Sequence, residues 1–142
     1  MACDTPCLPY SRLLKDDGIP YNNPTVYRSI IGVLQYLTFT RPDIAFSVHQ
    51  VCQFLQSLMV SHFTTVKCIL RYFKGTLLVG LFILGGELSL KAFSDANWVG
   101  DPNDRRSTIG MVFFVGNNPI SWSFKKQNMF SRSSTEAVYR AM

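Results

Sequence analysis

Two carboxylates in this 142-residue chain stand where residue type and position could support chemistry. Asp95 lies in the run Ala92-Phe93-Ser94-Asp95-Ala96-Asn97-Trp98, and Glu136 lies in Ser133-Ser134-Thr135-Glu136. In the first run Asp95 sits just beyond an alternating strand, and the second opens a helix with Glu136 in its first turn. A carboxylate at a central strand and another on a crossing helix could share a divalent cation, because hard cations prefer oxygen ligands. Each also has a purely structural explanation. Aspartate favours the turns that follow strands. Ser133 and Glu136 have the spacing at which a hydroxyl and a carboxylate satisfy the free N–H groups of a helix start.

Basic residues form a second class of candidates. Lys125, Lys126 and Arg132 precede the Glu136 helix, and Lys67, Arg71 and Lys74 share one side of an upstream helical pattern. Either set could meet phosphate, with Tyr72 or Trp98 stacking on bases; a solvated helix face is the favoured explanation of the second set. Arg105 and Arg106 lie in a polar loop. With 14 Lys and Arg against 9 Asp and Glu, the net charge of +5 suits an anionic partner. Cys3, Cys7, Cys52 and Cys68 match no zinc spacing, and Cys52 and Cys68 fall inside helical patterns, where a thiol packs as a small hydrophobe. They read as reduced core thiols of an intracellular protein.

These residues need elements to position them. Hydrophobic residues at 47% and charged residues at 16% exclude a disordered chain and leave room for a core. The longest apolar stretch, Leu77 to Leu84, is broken by Gly80 and is far short of the ~18 residues of a membrane span. Met1 to Tyr10 carries Asp4, two prolines and no apolar run, so no secretory signal is expected.

Asn23-Pro24 starts a helix with Tyr27, Ile31 and Leu34 on one face. Thr40-Arg41-Pro42-Asp43 reads as a capping box for a second helix, with the stripe Ile44, Val48, Val51, Leu55 and Leu58. A third helix begins at Ser61, places Val66, Ile69, Leu70 and Phe73 together, and stops at Gly75. The period then changes. Gly80–Leu84 and Leu88–Ala92 flank Gly85-Gly86-Glu87 as a hairpin, Thr108–Val115 and Ile120–Phe124 read as strands, and Gly100–Asp104 and Asn117–Pro119 read as turns.

Several blocks together carry a resemblance. Tyr27-Arg28-Ser29-Ile30-Ile31-Gly32, Gln35-Tyr36-Leu37-Thr38, Arg41-Pro42-Asp43-Ile44-Ala45-Phe46 and Ile69-Leu70-Arg71-Tyr72-Phe73-Lys74-Gly75-Thr76 come first. Phe93–Trp98, Asp104-Arg105-Arg106-Ser107-Thr108, Ser121-Trp122, Lys125-Lys126-Gln127 and Ser131–Ala137 follow. In this order they resemble the Pol polyprotein of copia-type LTR retrotransposons, over nearly the whole chain.

The resemblance implies an α+β or α/β chain. Residues 1–79 would be the helical thumb and connection end of a reverse transcriptase. Residues 80–142 would be a truncated ribonuclease H-like domain, with a mixed β-sheet and the start of its first helix. It implies Asp95 and Glu136 as catalytic, metal-binding carboxylates for Mg²⁺, with two ions cleaving the RNA strand of an RNA–DNA hybrid. Lys125, Lys126 and Arg132 become the nucleic-acid contacts. No Tyr-x-Asp-Asp stretch is present, so a polymerase site is not expected.

The family's third metal aspartate would lie beyond Met142, so the expected set is incomplete and Mg²⁺ binding weak or absent. Asn97, Val138 and Cys68 also depart from the residues common in relatives. The expectation is a polyprotein fragment of ribonuclease H ancestry, inactive alone, with a non-catalytic nucleic-acid-binding remnant or an inert product as alternatives. Partners would be an RNA–DNA hybrid or other nucleic acid and the remainder of the polyprotein, with no membrane. An intracellular location is expected, with a nuclear or organellar genome as the source. Stability should be marginal.

Overall fold

The computed structural model describes residues 3–7, 13–16 and 18–142. Residues 1–2, 8–12 and 17, on which part of the expectation about a leader over residues 1–10 and part of the 1–79 segment fall, lie outside the described residues. The chain divides into two compact units, residues 1–81 and 82–142. Among the described residues it is a mixed α+β protein with four helices and one three-stranded antiparallel sheet.

The first unit holds α1 (Pro24–Leu37), α2 (Pro42–Cys52) and α3 (Val60–Gly75). Asn23 caps α1 by accepting from the Val26 N–H at 3.3 Å, and Pro24 fills the first position, where no N–H is needed. The helical spacing delivers Tyr27, Ile31 and Leu34 to one core with Ile44, Val48, Val51, Leu58, Val66 and Ile69. Each such side chain contributes roughly 1.5–3 kcal/mol by leaving water. The buried Tyr27 hydroxyl donates to the Val51 carbonyl at 2.9 Å, so its burial leaves no polar group stranded.

Three details differ from expectation. The Thr40 capping box does not form: Arg41 is the N-cap without a side-chain cap bond, and the Thr40 hydroxyl instead donates back to Leu37 O. Pro42 gives α2 its start without a cap. The second helix ends at Cys52, short of Leu55 and Leu58, although Leu58 still reaches the core. In α3, Leu70 points outward at 37% exposure, because the buried stripe runs through Val66 and Ile69.

The second unit holds β1 (Leu90–Asn97), β2 (Thr108–Val115), β3 (Asn118–Lys126) and α4 (Ser134–Tyr139). The strand order is β1-β2-β3, so β1 is an edge. The sheet is purely antiparallel where a mixed one was expected, because three consecutive strands pair as neighbours. Gly116, at φ +61°, makes the tight turn from β2 to β3, and a Cβ there would meet Glu87 O at 2.7 Å.

The expected hairpin across Gly85-Gly86-Glu87 is absent. Leu90 pairs with Val115 of β2, and Gly116 donates to Ser89 O at 2.7 Å, so the incoming chain is committed to β2. Leu84 is held instead by the Asn118 amide, which accepts from its N–H at 2.8 Å and donates to its carbonyl at 2.7 Å. No described helix is long and apolar enough to cross a membrane.

Candidate nucleic-acid and metal site

Asp95 lies inside β1 rather than beyond the strand, opposite Gly110 of β2, which in turn pairs with Phe124 of β3. Directly paired residues share a face, so Asp95 stands beside Phe93 and Asn97 on one side of the sheet. It is exposed, and its Oδ1 accepts from the Ala96 N–H at 2.8 Å.

Glu136 is positioned by α4, which packs against β1. A buried polar network fixes the approach to that helix. Ser131 Oγ donates to Gln127 Oε1 at 2.7 Å, and Gln127 Nε2 donates to Ala137 O at 2.8 Å. The Gln127 N–H donates to Ser107 O at 2.8 Å. Trp98, just past β1, donates its indole N–H to Ser131 O at 3.0 Å. Trp98, Gln127 and Ser131 therefore tie the strand carrying Asp95 to the helix carrying Glu136. All three fall in the sequence blocks that carry the resemblance, but their structural role had no signature in spacing alone.

Glu136 is locally engaged. Its N–H is capped by Ser133 Oγ at 3.1 Å, Oε2 accepts from the Arg132 N–H at 2.7 Å, and Oε1 pairs with Arg140 at 2.6 Å. The Arg132 N–H, with Arg140 and the Arg132 charge, holds its carboxyl below the usual range against the opposing effect of desolvation. The carboxylate thus reaches one residue further back than in an ordinary capping box, to the residue before the cap.

The basic candidates separate. Lys125 is exposed, on the face of the sheet opposite Asp95 and paired with Ile109. Lys126 forms ion pairs with Asp101 and, at 2.9 Å, with Asp104. Burial pushes the Asp101 carboxyl up, but the Lys126 ammonium and the two Asn103 donors outweigh it and hold it low. Asp101 Oδ1 accepts from Asn103 N and Nδ2 at 2.7 and 2.9 Å. Arg132 is exposed, with its backbone rather than its side chain bonded to Glu136. Lys125 and Arg132 are thus the better-placed cations for an external anion.

Sequence reasoning missed a second polar cluster, in the helical unit. Arg41, 4% exposed, binds Asp43 through Nε at 2.9 Å and Nη2 at 2.7 Å, and donates to Thr76 O and Oγ1 at 2.9 and 2.8 Å. Tyr72 OH donates to Asp43 Oδ2 at 3.0 Å. The guanidinium holds the Asp43 carboxyl below its usual range. This cluster locks the start of α2 to the end of α3. The Arg41-Pro42-Asp43 run was visible in sequence, but only as a helix start and as part of the resemblance, not as an ion-pair cluster.

A hard divalent cation takes six or more oxygen ligands. Among the described residues no three His, Cys, Asp or Glu side chains are grouped to share an ion. With one Asp95 oxygen bound to its own backbone and both Glu136 oxygens engaged, the pair by itself falls short of a two-ion centre.

Two retrovirus-related Pol polyproteins of Arabidopsis thaliana, from transposons RE1 and RE2, are 48% and 45% identical to this chain over 139 residues. Each match takes in 97% of the chain and 10% of the polyprotein. An uncharacterized mitochondrial protein of Arabidopsis thaliana is 49% identical over 123 residues, 86% of this chain and 51% of that protein. The chain thus spans a tenth of the length of the transposon relatives and about half of the mitochondrial one. No family model matches, and no solved structure matches significantly.

Proposed function

Because the chain belongs to the Pol polyproteins of copia-type retrotransposons, we propose that it joins the helical tail of a reverse-transcriptase region, residues 1–79, to the opening of a ribonuclease H-like domain, residues 80–142. In this reading it contacts an RNA–DNA hybrid without hydrolysing it on its own. One observation carries the reading. Three consecutive antiparallel strands are followed by a helix packed on β1, which puts Asp95 and Glu136 on contacting elements. Lys125 and Arg132 supply phosphate contacts, while Lys126 spends its charge on Asp101 and Asp104. The remainder of a Pol polyprotein is the protein partner this reading implies.

Binding and cleavage of a labelled RNA–DNA hybrid, measured with Mg²⁺ across a salt series, test it. The expected result is binding that weakens steeply with salt, with a log–log slope of about −2 for two phosphate contacts, and no cleavage. Lys125→Ala and Arg132→Ala should each weaken binding, and Lys126→Ala less. Cleavage that disappears in Glu136→Gln would overturn the non-hydrolytic part. Failure to bind at low salt would overturn the nucleic-acid partner.

A further inference from the structure

The sheet leaves one edge open at β1. Among the described residues β1 pairs with β2 alone, and every residue of it except Ala96 is exposed. Bonding parity fixes which backbone groups face the open side. Gly116 N–H donates to Ser89 O at 2.7 Å, and the register runs on from Leu90↔Val115 to Asn97↔Thr108. Hydrogen-bonded pairs alternate along an antiparallel ladder. Lys91, Phe93 and Asp95 therefore bond to β2, as Ser89 does, while Leu90, Ala92, Ser94 and Ala96 turn their N–H and C=O groups outward. The Ala96 N–H agrees with that parity: it goes to Asp95 Oδ1 at 2.8 Å.

We propose that this edge docks on the same edge of a second copy of the chain, antiparallel, with the two-fold axis at Phe93. The sequence Lys91-Ala92-Phe93-Ser94-Asp95 is self-complementary about that centre. Phe93 then stands opposite the partner's Phe93, Ala92 opposite the partner's Ser94, and Lys91 opposite the partner's Asp95, the last two twice by symmetry. The outward backbone groups fall into the hydrogen-bonded pairs, Ala92 with the partner's Ser94 and Leu90 with the partner's Ala96. Phe93 and the Lys91–Asp95 pairs fall at the positions between, where opposed side chains come closest. Lys91, Phe93 and Asp95 also share one face of the sheet. Phe93 is set there by its edge-on contact with Phe114, at 5.8 Å between ring centroids. On docking, the Ala96 N–H passes to the partner's Leu90 carbonyl, which releases the Asp95 carboxylate to the partner's Lys91.

Charge selects this arrangement over its rivals. A parallel, in-register stack would set Lys91 on Lys91 and Asp95 on Asp95, and like charges directly opposite are destabilising. The antiparallel pair also closes on itself, giving the strand order β3-β2-β1-β1-β2-β3. The outer strands are then both β3, whose Pro119, Lys125 and Lys126 are residues that discourage further pairing.

The test uses the full chain. Sedimentation equilibrium at about 100 μM, above the μM dissociation constants of the weaker specific interfaces, should give twice the chain's 16.1 kDa. Lys91→Asp alone and Asp95→Lys alone each oppose like charges twice, and each should weaken the dimer about tenfold or more. Mixed in equal amounts, the two variants should recover it as a heterodimer, because every opposed pair is then complementary. Recovery also separates lost pairing from lost folding. A monomer at that concentration would leave the edge to some other strand and overturn the proposal. So would a dimer indifferent to both charge reversals, or folded variants that fail to pair when mixed.

Discussion

The two units solve the problem of order differently. The helical unit buries Tyr27, Ile31, Leu34, Ile44, Val48, Val51, Val66 and Ile69 to 1% exposure or less. In the sheet unit the buried apolar residues among those described are Ile109, Ala137 and Ala141, while Leu90 and Phe93 of β1 remain 77% and 60% exposed. Three amphipathic helices can turn their stripes inward on one another. A three-stranded sheet has two faces, and a six-residue helix cannot cover both. What orders the strand ends is polar instead: Asp101, Ser107, Gln127 and Ser131 are all buried. Apolar burial is non-directional, whereas a buried polar network fixes one arrangement and fails when one partner is lost.

That contrast can be broken unit by unit, since Trp98 and Trp122 both lie in the sheet unit. Tryptophan fluorescence then follows the sheet, and far-ultraviolet circular dichroism follows chiefly the helices. The largest effect should come from Leu34→Ala, which empties a site 1% exposed and should cost about 3 kcal/mol in the helical transition of a urea titration. Phe93→Ala, at 60% exposure, should shift the fluorescence transition by less than about 1 kcal/mol. Equal costs would erase the distinction between the units. Next is Asp43→Ala, which strands the buried Arg41 guanidinium and should cost about 2 kcal/mol in the helical transition. Lys126→Met should follow at about 1 kcal/mol in the fluorescence transition, by leaving the buried Asp101 without its ammonium.

Acid sharpens the same comparison. Asp43 and Asp101 are both held below the usual aspartate range, so each contributes stability that is present above that range and lost as pH falls through the folded value. Both units should therefore lose stability below about pH 4. Asp43→Asn should flatten the acid limb of the helical transition, and Lys126→Met that of the fluorescence transition. The smallest effect is a gain. Val99 has φ +53°, a region that disfavours branched side chains, so Val99→Gly should stabilise the sheet unit by up to about 1 kcal/mol in the fluorescence transition.

Legibility in the sequence followed the range of the forces. The Tyr27, Ile31, Leu34 stripe and the Thr108–Val115 strand were readable because period and turn residues act locally. The Gly80–Leu84 hairpin was misread because its rival, the Leu90–Val115 pairing, brings together residues 25 positions apart. Asp95 and Glu136 were found through their motif blocks, and the helix-start reading of Glu136 came from the Ser133 spacing. What occupies the Glu136 carboxylate and the Lys126 ammonium could not be read, because Arg132, Arg140, Asp101 and Asp104 become partners only through backbone geometry and strand register. Arg41 failed to announce itself for the same reason: its partner Thr76 lies 35 residues away.

The Asn118 amide that grips Leu84 has a chemical lifetime as well as a geometry. Asparagine ages when the nitrogen of the next residue attacks the side-chain amide and closes a cyclic imide, which reopens as a carboxylate. Such a carboxylate would keep an acceptor for the Leu84 N–H but lose the donor to its carbonyl. Here the next residue is Pro119, whose backbone nitrogen carries no proton to give up. Ring closure by that path is shut, and the hold on the apolar segment ahead of β1 is protected from the commonest clock in a protein's old age.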